Sequence, residues 1–177
     1  MTDIKTIGFI GLGNMGVPMA ANLKRGGFEV VAFDLDPARA QAFAKEHGAK
    51  AVASLADLGK AVDAVVTMLP TGKEVREALF TMQGGALAAN LKPGAFVIDM
   101  SSADAVGTRA LGAELAARKI VLVDAPVSGG VPRAKDGSLT KIDTLYLDID
   151  LIRAHRVEDN EKAFFAEFYL SMRNNPG

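Results

Sequence analysis

The chain has 177 residues, of which 49% are hydrophobic, so it is long enough for one domain with a real core. Its formal net charge is -1 and no cluster of Lys or Arg stands out, which argues against nucleic acid or an anionic membrane as the main partner. It has no cysteine, so disulfides, thiolate catalysis and cysteine metal sites are excluded.

A glycine-rich turn follows the first predicted strand. Residues 5–10 are short, apolar and β-branched, and residues 17–24 have apolar side chains at helical spacing. Glycines between a strand and a helix let the backbone approach a pyrophosphate, which rests against the positive end of the helix dipole. The pattern predicts nucleotide binding over a purely structural turn. The residues of the turn are Gly11, Leu12, Gly13, Asn14, Met15 and Gly16.

An acid closes the second predicted strand. Asp34 follows the apolar run 29–33, at the spacing expected for a carboxylate that binds the ribose hydroxyls of adenosine. The same carboxylate repels a 2′-phosphate, by roughly 4 kcal/mol for unit charges about 4 Å apart at an effective dielectric near 20, and by less in solvent. Asp34 therefore predicts NAD over NADP as the cofactor.

Alternating strand and helix patterns continue along the chain. Asp36 and Pro37 indicate the start of a helix that runs to about His47, with Gly48 as its stop. Ser54 indicates the start of a shorter helix, and a further helix is expected over about 104–118. The near-continuous apolar runs are typical of a parallel sheet covered on both faces. The prediction is an α/β fold, a doubly wound parallel sheet of Rossmann type. The remaining strands are expected at 50–52, 63–68, 95–99 and 120–124.

The pattern changes near Thr140. Residues 1–140 are predicted to form the dinucleotide-binding domain, and residues 141–177 an atypical tail with a strand at about 144–151 and a helix at about 160–173. The helix has an apolar stripe, which we expect to pack on the domain; the alternative is a docking helix that makes a homo-oligomer. Alternation places Asp148 and Asp150 on a solvated face, so no metal site is predicted.

Four motifs in order resemble the β-hydroxyacid dehydrogenases, the family typified by 3-hydroxyisobutyrate dehydrogenase. They lie at residues 7–23, 67–70, 97–102 and 124–132, and the resemblance covers about the first 140 residues. It implies an oxidoreductase that transfers hydride from a short β-hydroxy acid to NAD and gives the semialdehyde. Tartronate semialdehyde reductase activity falls within the same branch. A 6-phosphogluconate dehydrogenase-like enzyme is a further alternative, because it shares the nucleotide fold and a Ser-Gly-Gly segment.

The resemblance also implies roles for individual residues. The glycine turn would hold the pyrophosphate, and Leu69 and Pro70 would flank the adenosine and its ribose. Ser102 would lie beside the nicotinamide. A substrate carboxylate would be bound by backbone N–H groups and a hydroxyl in a nest-like segment. That segment is Ser128, Gly129 and Gly130.

The chain departs from the family where the second, helical domain would begin. That domain opens with a Gly-x-Gly-x-x-x-Lys-x-x-x-Asn pattern, whose lysine transfers the proton. No Lys here is followed by Asn four residues later: Lys141 is followed by Leu145, and Lys162 by Ala166. We therefore predict no catalytic residue, a truncated chain, and weak or no turnover by the chain alone. A frameshift, a truncation or a fusion would each give such a tail. The alternative from another class is a non-catalytic module that binds NAD or docks a partner.

The start of the chain bears on its location. Met1, Thr2 and Asp3 lead directly into the first predicted strand without a signal peptide. No apolar run approaches the roughly 20 residues needed to span a bilayer. A soluble protein of the cytoplasm is expected.

Overall fold

A computed structural model describes residues 4–82 and 86–141. Within these ranges the chain alternates strands and helices, and a short 3₁₀ turn lies at Leu87–Ala89. The tail strand and helix predicted beyond residue 141 lie outside the described residues. The elements are β1 (Thr6–Ile10), α1 (Gly16–Arg25), β2 (Glu29–Phe33), α2 (Pro37–His47), β3 (Lys50–Ala51), α3 (Leu55–Ala61), β4 (Ala64–Thr67), α4 (Gly72–Phe80), β5 (Phe96–Asp99), α5 (Ala105–Ala116), β6 (Val121–Asp124), β7 (Val127–Ser128), α6 (Gly130–Asp136) and β8 (Thr140–Lys141).

In the described part of the chain, six strands form one parallel sheet in the order β3-β2-β1-β4-β5-β6. Ile10 pairs with Thr67, Thr67 with Asp99, and Asp99 with Asp124, so the carboxyl ends of four strands are level. The order reverses between β1 and β4, and open α/β sheets bind ligands at such a switch point. The predicted doubly wound Rossmann-type fold is confirmed.

Helices cover both faces of the sheet. Phe9, Val66 and Ile98 pack on one face in a buried cluster that includes residues of α1 and α2. Val65 and Val97 pack on the other face, in a cluster with residues of α3, α4 and α5. All five side chains are fully buried, which explains why the strands appear in the sequence as unbroken apolar runs.

Several helix ends agree with the sequence pattern. Asp36 caps α2 by accepting a hydrogen bond from the N–H of Ala38 at 3.0 Å, and Gly48 ends that helix in a left-handed conformation. Ser54 caps α3 in the same way. The sequence did not indicate α4, nor α6, where a nest-like substrate-binding segment was expected. Among the described residues, no helix combines the length and the apolar character needed to cross a membrane.

Candidate functional site

Two glycines of the turn between β1 and α1 are required by packing. Gly11 has φ +96°, and a Cβ there would lie 2.3 Å from the carbonyl oxygen of Met68. A Cβ on Gly16 would lie 1.8 Å from the carbonyl oxygen of Gly11. Any side chain would therefore push α1 away from β1, which means that these two glycines hold the turn against the sheet.

Gly13 differs from its two neighbours. A Cβ built there meets no heavy atom of the described residues within 4 Å, and the φ of Gly13 lies outside the left-handed region. Neither packing nor backbone conformation of the described residues requires a glycine at this position. A glycine that faces open space at a strand-to-helix turn fits a group approaching the backbone from outside, as the pyrophosphate of a dinucleotide does.

The first turn of α1 suits an anion. Met15 stands at the N-cap without a side-chain hydrogen bond among the residues that the structure describes, and the first turn contains no acidic residue. The helices α2, α3, α4 and α5 each have a side-chain cap at this position. Because α1 lacks such a cap, its first N–H groups and the positive end of its dipole remain directed outward.

A cleft of about 540 Å³ lies over the glycine turn, between the loops that follow β2 and β4. Leu12 is not in its lining: it is 2% exposed and lines a neighbouring depression. Ser102 is also outside the lining, as is the Ser128–Gly130 segment. These residues follow β5 and β6, so they lie at the same edge of the sheet. The predicted residues that do line the cleft are Gly11, Gly13, Asn14, Met15, Gly16, Asp34, Leu69 and Pro70.

The carboxylate of Asp34 fixes the glycine turn as well as facing the cleft. Its Oδ2 accepts a hydrogen bond from the N–H of Leu12 at 2.7 Å, and its Oδ1 accepts one from the N–H of Asp36 at 2.9 Å. Each carboxylate oxygen has a second lone pair, so ribose hydroxyls can still donate to it. The sequence had indicated only the ribose contact.

Negative charge dominates the wall of the cleft. Asp34, Asp36, Glu74 and Glu77 line it, and the cation of Arg39 pairs with Asp36 at 3.6 Å. A hydrogen bond from the Thr71 hydroxyl at 2.5 Å is the main cause that lowers the pKa of Glu74 below its ordinary value of 4.5, so Glu74 is ionised at neutral pH. This wall disfavours an additional phosphate on the adenosine ribose.

The Ser-Gly-Gly segment forms the start of α6. Gly129 has φ +128°, and a Cβ there would lie 2.4 Å from Cδ of Arg133; Gly130 also has positive φ. These glycines thus have a structural requirement of their own. Asn22 of α1, 5% exposed, donates from Nδ2 to the carbonyl oxygen of Ala134 at 2.8 Å and so joins α6 to α1.

Sequence reasoning missed a buried polar network at the ends of β4 and β5. Oδ1 of Asp99 accepts hydrogen bonds from the Thr67 hydroxyl at 2.8 Å and from the N–H of Ser101 at 3.0 Å. Oγ of Ser101 then accepts one from the N–H of Leu69 at 2.9 Å. The signal available was a Thr and an Asp at the ends of two apolar strands.

Metal ligands are not gathered in the described part of the chain. Residues 4–82 and 86–141 contain no group of three or more His, Asp or Glu side chains that could hold an ion. The aspartates of the tail lie outside the described residues.

The comparisons with known proteins identify the family. The protein-family model for the NAD-binding domain of 6-phosphogluconate dehydrogenase matches residues 6–142 of this chain. The human mitochondrial 3-hydroxyisobutyrate dehydrogenase is 40% identical over 134 residues, 76% of this chain and 39% of that protein. The L-threonate dehydrogenase of Cupriavidus necator is 40% identical over 136 residues, 77% of this chain and 45% of that protein.

A solved structure gives the same result. The Mycobacterium tuberculosis 3-hydroxyisobutyrate dehydrogenase, determined with L-serine, superposes with a TM-score of 0.72 at 34% identity, over 86% of this chain and 52% of that one. The chain spans about half the length of these relatives or less. The chain belongs to the family of NAD-binding domains described for 6-phosphogluconate dehydrogenase. Within it, the resemblance to the 3-hydroxyisobutyrate dehydrogenases is confirmed over the N-terminal part of the chain.

Proposed function

We propose that this chain is the NAD-binding part of a β-hydroxyacid dehydrogenase. The observation that carries the proposal is the open space at Gly13, beside the uncapped first turn of α1. In this proposal the glycine turn holds the pyrophosphate, and Asp34 accepts hydrogen bonds from the adenosine ribose. Leu69 and Pro70 border the adenosine side, and Ser102 lies beside the nicotinamide. When bound, NAD supplies the ring that accepts hydride.

We infer that the substrate is a short hydroxy acid. The relatives are named for 3-hydroxyisobutyrate and L-threonate, which share a carboxylate and a hydroxyl on a short carbon chain. In this chain the substrate carboxylate would be bound by Ser128, Gly129 and Gly130, which are exposed at the start of α6. The match to the NAD-binding domain of 6-phosphogluconate dehydrogenase makes 6-phosphogluconate the alternative substrate. Reduction of tartronate semialdehyde is a further alternative within the short-acid branch.

We propose weak or no turnover by the 177-residue polypeptide alone. Its sequence contains no Lys followed by Asn four residues later, so the expected proton-transfer residue is missing. General acid–base help of that kind is worth about 10² to 10⁴ in rate. NAD and a hydroxy acid would then bind without efficient reaction.

Initial rates measured on the purified chain test this proposal. NAD reduction would be followed with 3-hydroxyisobutyrate, L-threonate and 6-phosphogluconate, next to calorimetric titration with NADH and NADPH. We expect NADH to bind more tightly than NADPH and all three rates to be low. Efficient oxidation of a short hydroxy acid would refute the weak-turnover proposal, and preference for 6-phosphogluconate would refute the substrate class.

The missing Lys-x-x-x-Asn pattern also favours a second candidate, a non-catalytic module that binds NAD and docks a partner through residues 141–177. Size-exclusion chromatography of the chain with and without those residues distinguishes the two. The docking candidate, including a homo-oligomer, requires that their removal changes the oligomeric state. The cytoplasmic location stays a prediction, since the human relative is named as mitochondrial.

A further inference from the structure

We propose that Ser101 is a positioning residue that sets both ends of the dinucleotide site. The inference rests on the proposed function, because it concerns the same cofactor. Ser101 is fully buried and bonded in two directions: its N–H donates to Asp99, and its Oγ accepts from the N–H of Leu69. Leu69 lines the cleft, and Ser102 directly follows Ser101 in the sequence.

The network is anchored in the sheet. Thr67 and Asp99 are paired neighbours at the ends of β4 and β5, and both are at most 1% exposed. Burial of the Asp99 carboxylate is costly unless donors satisfy it, and Oδ1 receives two, from the Thr67 hydroxyl and the Ser101 N–H. Two apolar residues in place of Thr67 and Asp99 could pack at the ends of β4 and β5 at a lower desolvation cost. The polar version instead extends from the sheet into the two loops that border the site.

Ser101 is the junction between these loops. Through Oγ it holds the loop after β4, which carries Leu69 and Pro70 on the adenosine side. Through its own backbone it fixes where the exposed Ser102 stands, on the nicotinamide side. Loss of the Oγ acceptor leaves the N–H of Leu69 unsatisfied and lets the two loops move independently. The loss therefore affects a ligand that spans both loops more than one that touches a single loop.

Titration with two ligands distinguishes a positioning role of Ser101 from a general effect on stability. NADH extends over both loops, whereas ADP-ribose lacks the nicotinamide. Calorimetric titration of the full chain would compare wild type with S101A, S102A and T67V. We expect S101A to weaken NADH binding about tenfold and ADP-ribose binding about threefold. S102A should weaken the binding of NADH alone. T67V should weaken NADH binding less than S101A does.

S54A is the matched control. It removes the N-cap of α3, at a cost in stability comparable to that of S101A. The contacts of Ser54 do not line the cleft, so S54A should leave the affinities for NADH and ADP-ribose unchanged. Equal weakening of the two ligands in S101A, or less than a twofold change in both, would overturn the positioning role. If S101A did not fold, unchanged NADH binding in T67V would overturn it. Failure of wild type to bind either ligand would instead overturn the proposed function, and this inference with it.

Discussion

Replacing Asp34 by Asn should change cofactor preference and stability together, because the carboxylate serves two purposes. Its Oδ2 accepts from the N–H of Leu12 at 2.7 Å and its Oδ1 from the N–H of Asp36 at 2.9 Å. An amide group has only one acceptor oxygen, so D34N leaves one of these N–H groups without a partner. Hydrogen bonds to a charged group contribute about 1.5–3 kcal/mol, and we expect D34N to lower the free energy of unfolding by that amount.

The effect of D34N on cofactor preference can be worked out separately from its effect on stability. Removal of the charge relieves repulsion of a 2′-phosphate, for which the upper figure is roughly 4 kcal/mol at an effective dielectric near 20. One third of that, allowing for solvent, is about a tenfold shift in the ratio of NADPH to NADH affinity. Glu74 and Glu77 remain in the cleft wall, so the shift should not make NADPH the preferred cofactor.

D36N is the control for this prediction. It removes a charge two residues away, and Asn is as good an N-cap for α2 as Asp, so stability should change little. Denaturant unfolding and calorimetry with both cofactors give the required numbers. An unchanged free energy of unfolding in D34N would refute the claim that the Asp34 carboxylate holds the glycine turn in place. An unchanged affinity ratio would refute the electrostatic account of cofactor preference.

Two further predictions concern contacts around the site. T71A should raise the pKa of Glu74 towards its ordinary value of 4.5, while T71S should not; NMR titration checks this. Because the folded pKa lies below the unfolded one, the stabilisation from this bond is present above about pH 4.5 and is lost as the pH falls through the folded pKa. N22A should cost about 1–3 kcal/mol, since it leaves the buried carbonyl of Ala134 without its donor. Hydrogen exchange should then speed up in α6, and protection equal to that of wild type would contradict the link to α1.

Most of the fold could be predicted because its signals are local. The strand Glu29–Phe33 has the bounds expected from its apolar run, and Asp36 and Gly48 mark the ends of α2 through their own backbone preferences. The helix α4 was not indicated, because no helix was expected between the strands at 63–68 and 95–99, although Thr71 caps it. The helix α6 was not indicated because two glycines, which the structure shows with positive φ, precede and open it, and glycine is a poor helix former.

The site was predicted less completely because it depends on register. The glycine turn and Asp34 are joined by a strand-helix-strand unit whose geometry is general, so their cleft could be foreseen. The bond between Thr67 and Asp99 exists only because β4 and β5 pair at those residues, which are 32 positions apart. Sequence alone also could not show that Ser101 is buried while Ser102 is exposed.

The central claim is that a dinucleotide lies over the glycine turn at the start of α1, and G13A tests it most directly. The new methyl group meets no heavy atom within 4 Å in residues 4–82 and 86–141, and alanine tolerates φ outside the left-handed region. Stability should therefore be unchanged or rise by about 0.4–1 kcal/mol, whereas G16A should be strongly destabilised. NADH titrated calorimetrically into folded G13A should bind about 10- to 100-fold more weakly than to wild type, because the methyl group occupies the space of the pyrophosphate. Equal affinity in the two proteins would contradict the account.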